Sequence, residues 1–263
     1  MGKRGDLIVI DGIDGAGKEI ARDAAVDFFQ EISGNTKIIL NLDEYWQKNH
    51  RHPQFEQKKV DKQEYLLDYV NPLDIDIITA SEPTHTDVGN AIRNEIVRYK
   101  GRYSARTTAQ TYALDREILY KRVELPARDL GKLVLKCRSV STTKVFQQVQ
   151  AQELGEKLTE EEILSYEGNK IALANPPNIL IIPTVKDIEK VLYRTKKRKK
   201  DDNTWFEKID FQRKVEEKYE SAEFREFFEK LGTKVIYVDN DTNVSECEFR
   251  EKIKNTLAQI YKK

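Results

Sequence analysis

The stretch Leu7-Ile-Val-Ile-Asp-Gly-Ile-Asp-Gly-Ala-Gly-Lys18 decides the fold of this chain. A short apolar run, Leu7–Ile10, precedes the pattern Gly-x4-Gly-Lys at Gly12–Lys18, which is typical of a phosphate-binding loop between a strand and a helix. The glycines let the backbone curl so that successive N–H groups point into one concavity, and the dipole of the following helix favours an anion there. The stretch therefore predicts a strand, a nucleotide-phosphate loop and a helix, in that order.

The residues after the loop have the spacing of an amphipathic helix. One apolar face is formed by Ala21, Ala24, Ala25, Phe28, Phe29 and Ile32. A glycine-rich turn arising by chance is the alternative, and the agreement of strand, spacing, lysine and helix disfavours it. We expect donor phosphates against the loop residues Gly12, Ile13, Asp14, Gly15, Ala16, Gly17, Lys18, Glu19 and Ile20, with the Lys18 amine on the outer phosphates.

Glu19 and Ile20 depart from the usual loop. A hydroxyl residue normally follows the lysine and binds Mg²⁺ beside the phosphates. The Glu19 carboxylate either ligates a hard cation in place of that hydroxyl or repels the phosphates. The sequence leaves both alternatives open.

Composition limits the class of protein. The 263 residues are enough for one large α/β domain or two small ones, and Lys plus Arg equals Asp plus Glu at 45 each. No overall charge therefore indicates a nucleic-acid or membrane partner. Two cysteines far apart, Cys137 and Cys247, indicate a reducing compartment, and the apolar runs are too short for a membrane span or a signal peptide. We expect a cytoplasmic protein.

Strand-like and helical patterns alternate along the chain. Strands are predicted at Leu7–Ile10, Lys37–Leu42, Ile75–Ala80, Lys132–Cys137, Asn178–Ile182 and Lys234–Val238. This alternation predicts the three-layer α/β fold of P-loop nucleotide-binding proteins, with a mainly parallel sheet of five or six strands and helices on both faces. Three polar motifs fall at the carboxyl ends of predicted strands, where ligands bind in such sheets: Gly12–Lys18, Ser81–Thr86 and Cys137–Gln147.

Two segments interrupt the alternation. Residues 43–74 are polar and aromatic, and we interpret them as an insertion with one helix around Lys62–Tyr69. His50 and His52 lie in it, but two histidines without a third ligand favour a solvated loop over a metal site. The basic run Arg194–Lys200 is, by itself, typical of a solvated helix face or a nucleic-acid patch.

Five segments follow the loop in a fixed order. They are Ser81-Glu-Pro-Thr84 with Gly89 and Ile92-Arg93, Tyr112-Ala-Leu-Asp-Arg116, Cys137-Arg-Ser139 through Phe146-Gln147, Pro177-Asn-Ile-Leu-Ile181, and the basic run. Together with the loop, this order resembles the thymidylate kinase family, P-loop enzymes that move a phosphoryl group from ATP to dTMP. The likeness covers most of the chain outside the insertion.

The resemblance implies how an acceptor is bound. It puts Asp14 near the sugar hydroxyl and Tyr112 in a stack on the base, although such a tyrosine is equally often part of the core. Arginines hold phosphates because a guanidinium is always charged and binds in a bidentate manner. The implied acceptor-binding residues are Asp14, Glu82, Pro83, Arg93, Tyr112, Arg116, Arg138, Thr142 and Gln147.

The resemblance also implies ATP as the donor and Mg²⁺ as its metal. The carboxylates of this chain that could hold the Mg²⁺, directly or through water, are those of Glu19 or Glu82. The resemblance implies a single domain over residues 1–263 with a basic lid at about 194–204, small-molecule nucleotides as partners, and a homodimer. The implied catalytic residues are Lys18, Arg138, Arg194 and Arg198.

Five places depart from the family pattern. They are Glu19-Ile20 for hydroxyl residues, Ser81 for an arginine that contacts the acceptor phosphate, Cys137 for an aspartate that supports the metal, Ser139 for an aromatic residue, and Asn178 for an aspartate. The first hypothesis is phosphoryl transfer from ATP to dTMP or a related deoxynucleoside monophosphate. A deoxynucleoside kinase, which the loss of the arginine at Ser81 fits, and a non-catalytic nucleotide-binding protein are the alternatives.

Overall fold

The sheet of this protein is parallel throughout and has six strands. Its structure is a computed structural model, which describes residues 4–55, 70–98, 100–189, 191, 206, 208–241 and 243–261. The strands are β1 (Leu7–Ile10), β2 (Ile39–Asn41), β3 (Ile77–Ser81), β4 (Leu133–Cys137), β5 (Ile179–Thr184) and β6 (Lys234–Asp239). They lie in the order β2-β3-β4-β1-β5-β6. The predicted α/β fold and parallel sheet are confirmed.

β1 lies inside the sheet, between β4 and β5. Ile10, its last residue, pairs with Cys137 of β4 and with Ile181 of β5. Ser81 at the end of β3 pairs with Cys137 on the other side of β4. Since parallel strands end at the same edge, the residues that follow β1, β3 and β4 are neighbours there.

Helices cover both faces of the sheet. They are α1 (Lys18–Ile32), α2 (Leu42–Asn49), α3 (Asp87–Ala91), α4 (Ala105–Leu119), α5 (Leu125–Asp129), α6 (Val140–Leu154), α7 (Glu160–Ser165), α8 (Glu167–Ala174), α9 (Ile209–Tyr219), α10 (Ala222–Lys230) and α11 (Glu246–Tyr261). Single π-helical turns extend α3 over Ile92–Ile96 and α4 over Tyr120–Glu124. Phe28 of α1 and Ile253 of α11 are buried with Ile8 and Ile10 of β1 in one core. The core on the other face contains Leu7 and Val9 of β1, with contributions from helices that include α6 and α9.

The apolar face predicted for α1 is largely correct. Ala21, Ala24, Ala25 and Phe28 are buried, whereas Ile32 in the last turn is 46% exposed. Ile32 is the last residue of α1, and the packing of α1 against α11 does not cover its side chain.

The segment predicted as an insertion contains a helix that the sequence did not indicate. Asn41 caps α2 by accepting from the backbone N–H groups of Asp43 and Glu44, and Trp46 within α2 is fully buried. His52 packs edge-on against that indole with ring centroids 5.4 Å apart, so the expectation of a solvated loop is wrong for His52. The helix predicted around 62–69 and the basic lid at 194–204, with Arg194 and Arg198, lie outside the described residues.

Candidate active site

The phosphate loop joins β1 to α1 through glycines in left-handed or extended positive-φ conformations. Gly17, at φ +89°, forms the N-cap of α1. A Cβ on Gly17 would lie 2.6 Å from Asn240 Nδ2, and that nitrogen donates to the Ala16 carbonyl oxygen at 2.8 Å. Glycine is favoured at this point because the backbone angle strains any other residue, and an added side chain would also displace the Asn240 amide.

Lys18 is held over the loop. Its Nζ donates to the carbonyl oxygens of Gly12 at 3.0 Å and Ile13 at 2.6 Å, and lies 3.7 Å from Asp14 Oδ1. Burial, and then the charge of Arg138, lower the pKa of Lys18 to about 8, although nearby carboxylates act in the opposite direction. A largely desolvated amine of this kind gains most from a partner with negative charge.

Asp14 and Arg138 form an ion pair beside the lysine. Arg138 Nη2 donates to Asp14 Oδ1, and Gln212 of α9 donates from Nε2 to Asp14 Oδ2 at 3.0 Å. Gln212 also accepts from the Asp14 backbone N–H through Oε1 at 3.0 Å. Burial opposes ionisation of Asp14, but the charges of Arg138 and Lys18 outweigh it and hold the pKa of Asp14 below its usual range. The loop carboxylate is therefore ionised and fixed in place.

The backbone of Arg138 is also unusual. Its φ is +71°, in the left-handed region that most side chains avoid, and its N–H donates to the Ile10 carbonyl oxygen at 2.9 Å. The guanidinium lies 5.4 Å from the centroid of the Phe146 ring. The turn after β4 thus directs this side chain back across the end of β1 and onto Asp14.

Asp11, which sequence reasoning missed, connects three parts of the site: the phosphate loop, α6 and α9. The side chain is fully buried and accepts from the hydroxyls of Ser141, of Thr142 at 2.7 and 2.8 Å, and of Tyr219 at 2.9 Å. The Gly12 N–H donates to it as well, at 2.9 Å. The structure therefore places the Thr142 hydroxyl, predicted to bind the acceptor, on Asp11. A carboxylate between an apolar strand and the loop glycine was the available signal.

The predicted base-binding residues lie on two antiparallel helices. Arg116 of α4 donates to Thr143 of α6 at 3.0 Å, and Gln150 of α6 donates to Thr108 of α4 at 3.1 Å. Tyr112 lies between Thr108 and Arg116, and is therefore level with the turn of α6 that carries Gln147. This arrangement brings the two predicted residues to neighbouring turns.

Tyr112 and Gln147 are both withdrawn from solvent where these two helices meet. Tyr112 is half-buried, and burial raises the pKa of its phenol to about 12 although Arg138 and Arg93 act in the opposite direction. Gln147 Oε1 is buried and accepts from no described residue. Arg93 donates to the carbonyl oxygens of Pro83 and, at 3.2 Å, of Thr84.

Arg116 and Glu82 belong to a buried ion network instead of an open cleft. Glu82 Oε2 accepts from Arg116 Nε at 2.8 Å, and Glu82 Oε1 accepts from Lys136 Nζ at 2.7 Å. Lys136 also donates to Glu124 at 2.6 Å. Arg116 is 1% and Glu82 3% exposed. This arrangement gives no support to the predictions that Glu82 ligates Mg²⁺ and that Arg116 holds the acceptor phosphate.

Glu19 and Cys137 are the two departures at positions where the family pattern supports the metal. Glu19 is exposed in the first turn of α1. Cys137 is buried, and burial raises the pKa of its thiol to about 12 in spite of Arg22 and Lys18, so the thiol is neutral at pH 7. In the described part of the chain, no group of three His, Cys, Asp or Glu side chains is arranged to hold a metal ion by itself.

The sequence model of the thymidylate kinase family matches residues 59–255. The chain belongs to this family. Among solved structures it is similar to the thymidylate kinase of Ehrlichia chaffeensis, with a TM-score of 0.58 and 14% identity over 98% of each chain. It is also similar to that of Candida albicans, with a TM-score of 0.55 and 16% identity over 100% of this chain and 93% of that one. No curated protein sequence matches it significantly.

At these identities the structural likeness shows the fold. Membership of the thymidylate kinase family, together with that fold, supports a nucleotide kinase role for this divergent member. The family implies ATP-dependent phosphoryl transfer, typically with Mg²⁺. No helix in the described ranges is long and apolar enough to cross a membrane. The individual site residues remain predictions, which the geometry above either supports or leaves without support.

Proposed function

We propose that this protein transfers a phosphoryl group from ATP to dTMP or a closely related deoxynucleoside monophosphate. The observation that carries the proposal is the convergence of Lys18, Asp14 and Arg138 at the carboxyl edge of the sheet. In-line phosphoryl transfer needs little covalent chemistry from a protein, and depends on positioning and on neutralising charge. Two fixed cations on either side of one loop carboxylate are suited to that task.

Each residue of this group has a distinct part in the proposal. The loop amides and the Lys18 amine hold the donor phosphates, since the amine is desolvated and lies over the loop. Asp14 is anchored by Gln212 and accepts a hydrogen bond from the acceptor sugar. Arg138 lies between donor and acceptor phosphates, where a guanidinium stabilises the charge that spreads over the transferring group.

In this proposal the acceptor base contacts Tyr112 of α4 and Gln147 of α6. Tyr112 offers a half-buried ring for stacking, and Gln147 offers a buried carbonyl oxygen that can accept from a base N–H. The Candida albicans thymidylate kinase has broad substrate specificity. We therefore include related deoxynucleotides besides dTMP among the acceptors of this chain.

The residues of the phosphate loop are suited to hold the triphosphate of ATP. One side chain, that of Glu19, is suited to ligate Mg²⁺. The positive-φ glycines, the start of α1 and the Lys18 amine form a cradle for a triphosphate. Glu19 offers the hard oxygen ligand that Mg²⁺ prefers, and it is exposed beside that cradle. Bound there, the metal would neutralise charge on the phosphates.

A deoxynucleoside kinase is the second candidate, and one observation favours it. Ser81, where the family pattern has an arginine, donates its hydroxyl to Asp43 Oδ2 at 2.8 Å and carries no charge of its own. An acceptor without a phosphate would need no arginine at residue 81.

A coupled ADP-release assay over deoxynucleosides and their monophosphates, with and without Mg²⁺, tests the proposal. We expect Mg²⁺-dependent ADP release with dTMP, and loss of at least about 90% of it in Lys18→Ala, since a desolvated charge contact contributes about 1.5–3 kcal/mol. Lys121→Ala, which removes a lysine 56% exposed in its surface pair with Glu117, is the matched control. Turnover of nucleosides alone would favour the second candidate, and binding of ATP without any turnover would favour a non-catalytic protein.

A further inference from the structure

Asp11 lies between the last residue of β1 and the first glycine of the phosphate loop, and its side chain is out of reach of a ligand. That side chain is fully buried, and each of its described hydrogen bonds runs from a donor to one of its two oxygens. Asp14 differs, because its side chain is 18% exposed and pairs directly with Arg138. Any influence of Asp11 on the reaction therefore passes through the groups that it holds.

On the loop side, Asp11 fixes the backbone of Gly12. Asp11 Oδ1 accepts from the Gly12 N–H at 2.9 Å, and the Gly12 carbonyl oxygen accepts from Lys18 Nζ at 3.0 Å. Gly12 has a φ of +135°, and the Asp11 N–H donates to the Ile181 carbonyl oxygen of β5 at 2.9 Å. A single residue, Gly12, thus connects the carboxylate to the amine that is proposed to hold the donor phosphates.

On the other side, Asp11 holds the first turn of α6, which directly follows Arg138 and Ser139. The hydroxyls of Ser141 and Thr142 in that turn donate to the Asp11 carboxylate. Ser139, the N-cap residue of α6, makes no side-chain cap hydrogen bond, so the bonds to Asp11 anchor this turn instead. Since Ser139 alone separates Arg138 from α6, the position of the turn helps to determine where the guanidinium lies.

The charge of Asp11 acts on the same two cations. Burial lowers the pKa of Arg138, but the charges of Asp14 and then Asp11 raise it above its usual range. In Lys18, burial and the charge of Arg138 lower the pKa, whereas Asp14 and then Asp11 act in the opposite direction. Lys18 and Arg138 repel each other, so a buried negative charge that attracts both reduces the cost of holding them side by side.

Tyr219 braces this carboxylate from α9. Its hydroxyl donates to Asp11 Oδ1 at 2.9 Å, and the residue is 1% exposed. Burial and then the charge of Asp11 raise the pKa of the Tyr219 phenol well above its usual value, so the hydroxyl keeps its proton at neutral pH. The carboxylate therefore cannot turn without breaking contacts to the loop, to α6 and to α9.

We propose that Asp11 is a positioning residue for phosphoryl transfer, which fixes the spacing between the phosphate loop and the Arg138 guanidinium. The inference rests on the proposed function, in which Lys18 holds the donor phosphates and Arg138 lies between donor and acceptor. Binding of ATP needs the loop, whereas the transition state needs the loop and the guanidinium together. A shift of about 1 Å between them costs about hundredfold in rate, so Asp11 acts on kcat more than on ATP affinity.

A double-mutant cycle between residues 11 and 138 tests this role. Asp11→Asn keeps the shape of the side chain but turns one acceptor into a donor, and should lower kcat about tenfold or more while the Kd of ATP changes by less than about threefold. In the Arg138→Ala background, the same substitution should lower kcat by less than about twofold further, because the group that it misplaces is already absent. A merely structural role predicts the same loss of kcat in both backgrounds, and that result overturns the proposal.

Tyr219→Phe gives a second test that does not depend on how well Asp11→Asn folds. It removes one donor from the carboxylate and should lower kcat about two- to fivefold, again only while Arg138 is present. Tyr261→Phe is the matched control, because the Tyr261 hydroxyl donates to Asp6 at the same distance of 2.9 Å, before the opposite end of β1, and kcat should not change. Urea unfolding checks that each variant is folded under the assay conditions.

The outcomes separate this inference from the proposed function. If the unchanged protein phosphorylates dTMP but Asp11→Asn and Tyr219→Phe both keep kcat within about twofold, only the inference is overturned. A fall in ATP affinity as large as the fall in kcat also overturns it, since Asp11 would then act on donor binding. If the unchanged protein binds ATP and turns over no acceptor, the proposed function itself fails and the inference fails with it.

Discussion

Arg116 and Arg138 were predicted to do the same work, and the structure gives them opposite surroundings. Arg116 is sealed beneath the edge of the sheet, where it donates from every nitrogen to Glu82, Asn169, Ser139 and Thr143. The Arg138 side chain is 23% exposed, and its only described hydrogen bond is to Asp14. The comparison shows that saturation of the donors, and not the residue type, separates an arginine that holds the fold from one that can bind a ligand.

The largest expected effect concerns the buried ion network of Arg116 and Glu82. Arg116→Ala should lower the free energy of unfolding by about 3–5 kcal/mol, because it leaves the buried Glu82 carboxylate with one cation fewer. Urea unfolding followed by circular dichroism measures it. Arg225→Ala, which removes an exposed pair with Glu229, should cost less than about 1 kcal/mol. If Arg116→Ala and Arg225→Ala were equally stable, Arg116 would not be an arginine that holds the fold.

The second effect is on activity. Arg138→Ala should lower kcat/KM for phosphoryl transfer about hundredfold, or about 3 kcal/mol, because a preorganised cation is lost from a site that excludes most water. Its unfolding free energy should change by less than that of Arg116→Ala, since Asp14 keeps Gln212 and Lys18 as partners. The ADP-release assay measures the loss of kcat/KM, and urea unfolding measures the change in unfolding free energy. If Arg138→Ala unfolded easily and kept normal turnover, Arg138 would be an arginine that holds the fold, as Arg116 is.

The third effect is the pH dependence of ATP affinity, which tests how the charge of Arg138 acts on the neighbouring Lys18 amine. The Lys18 amine, with its pKa lowered to about 8, must be protonated to hold phosphate. ATP affinity should be constant below pH 8 and should fall about tenfold, or about 1.4 kcal/mol, for each pH unit above it, until the raised pKa of the complex is reached. Calorimetric titrations at several pH values measure this slope. Lys18→Arg keeps its charge throughout and should abolish it, whereas a slope that persists in that variant would assign the titration to another group.

The smallest effect concerns the acceptor base. Tyr112→Ala should weaken binding of the acceptor by about 1 kcal/mol, because a stacking ring is removed from the surface between α4 and α6. Tyr112→Phe keeps the ring and should bind within about twofold of the unchanged protein. Fluorescence titration with dTMP measures both. Normal binding by the alanine variant would place the base elsewhere.

The fold was predictable from the sequence because its signals are local. Buried parallel strands give short apolar runs, and the run Leu7–Ile10 coincides with β1. The loop glycines and Lys18 form a pattern of consecutive residues, so no tertiary information is needed to recognise it. The helix α2 escaped prediction because its segment is polar, and Trp46 finds its burial only through the tertiary fold.

The candidate site was harder to predict from the sequence, because its contacts join distant parts of the chain. The Asp11 carboxylate meets Tyr219 of α9, and Ser81 meets Arg22 and Asp43, none of which a spacing rule connects. The family resemblance predicts that Asp14 and Arg138 both contact the acceptor, and in the structure the two side chains form an ion pair at the loop. It could not show that Arg116 is fully enclosed, since the same sequence letters describe an arginine that faces a ligand and one that faces a buried carboxylate.

The left-handed backbone of Arg138 sets stability against activity at a single position. A non-glycine residue at φ +71° costs about 1–2 kcal/mol relative to a right-handed conformation, and glycine would largely avoid that cost. Selection for folding alone would favour glycine there and would discard the guanidinium. Variants of residue 138 ranked by thermal stability should therefore place glycine high, whereas the same variants ranked by turnover should place it low. In the proposed function, the arginine at this turn therefore gives up backbone stability in exchange for a guanidinium at the site.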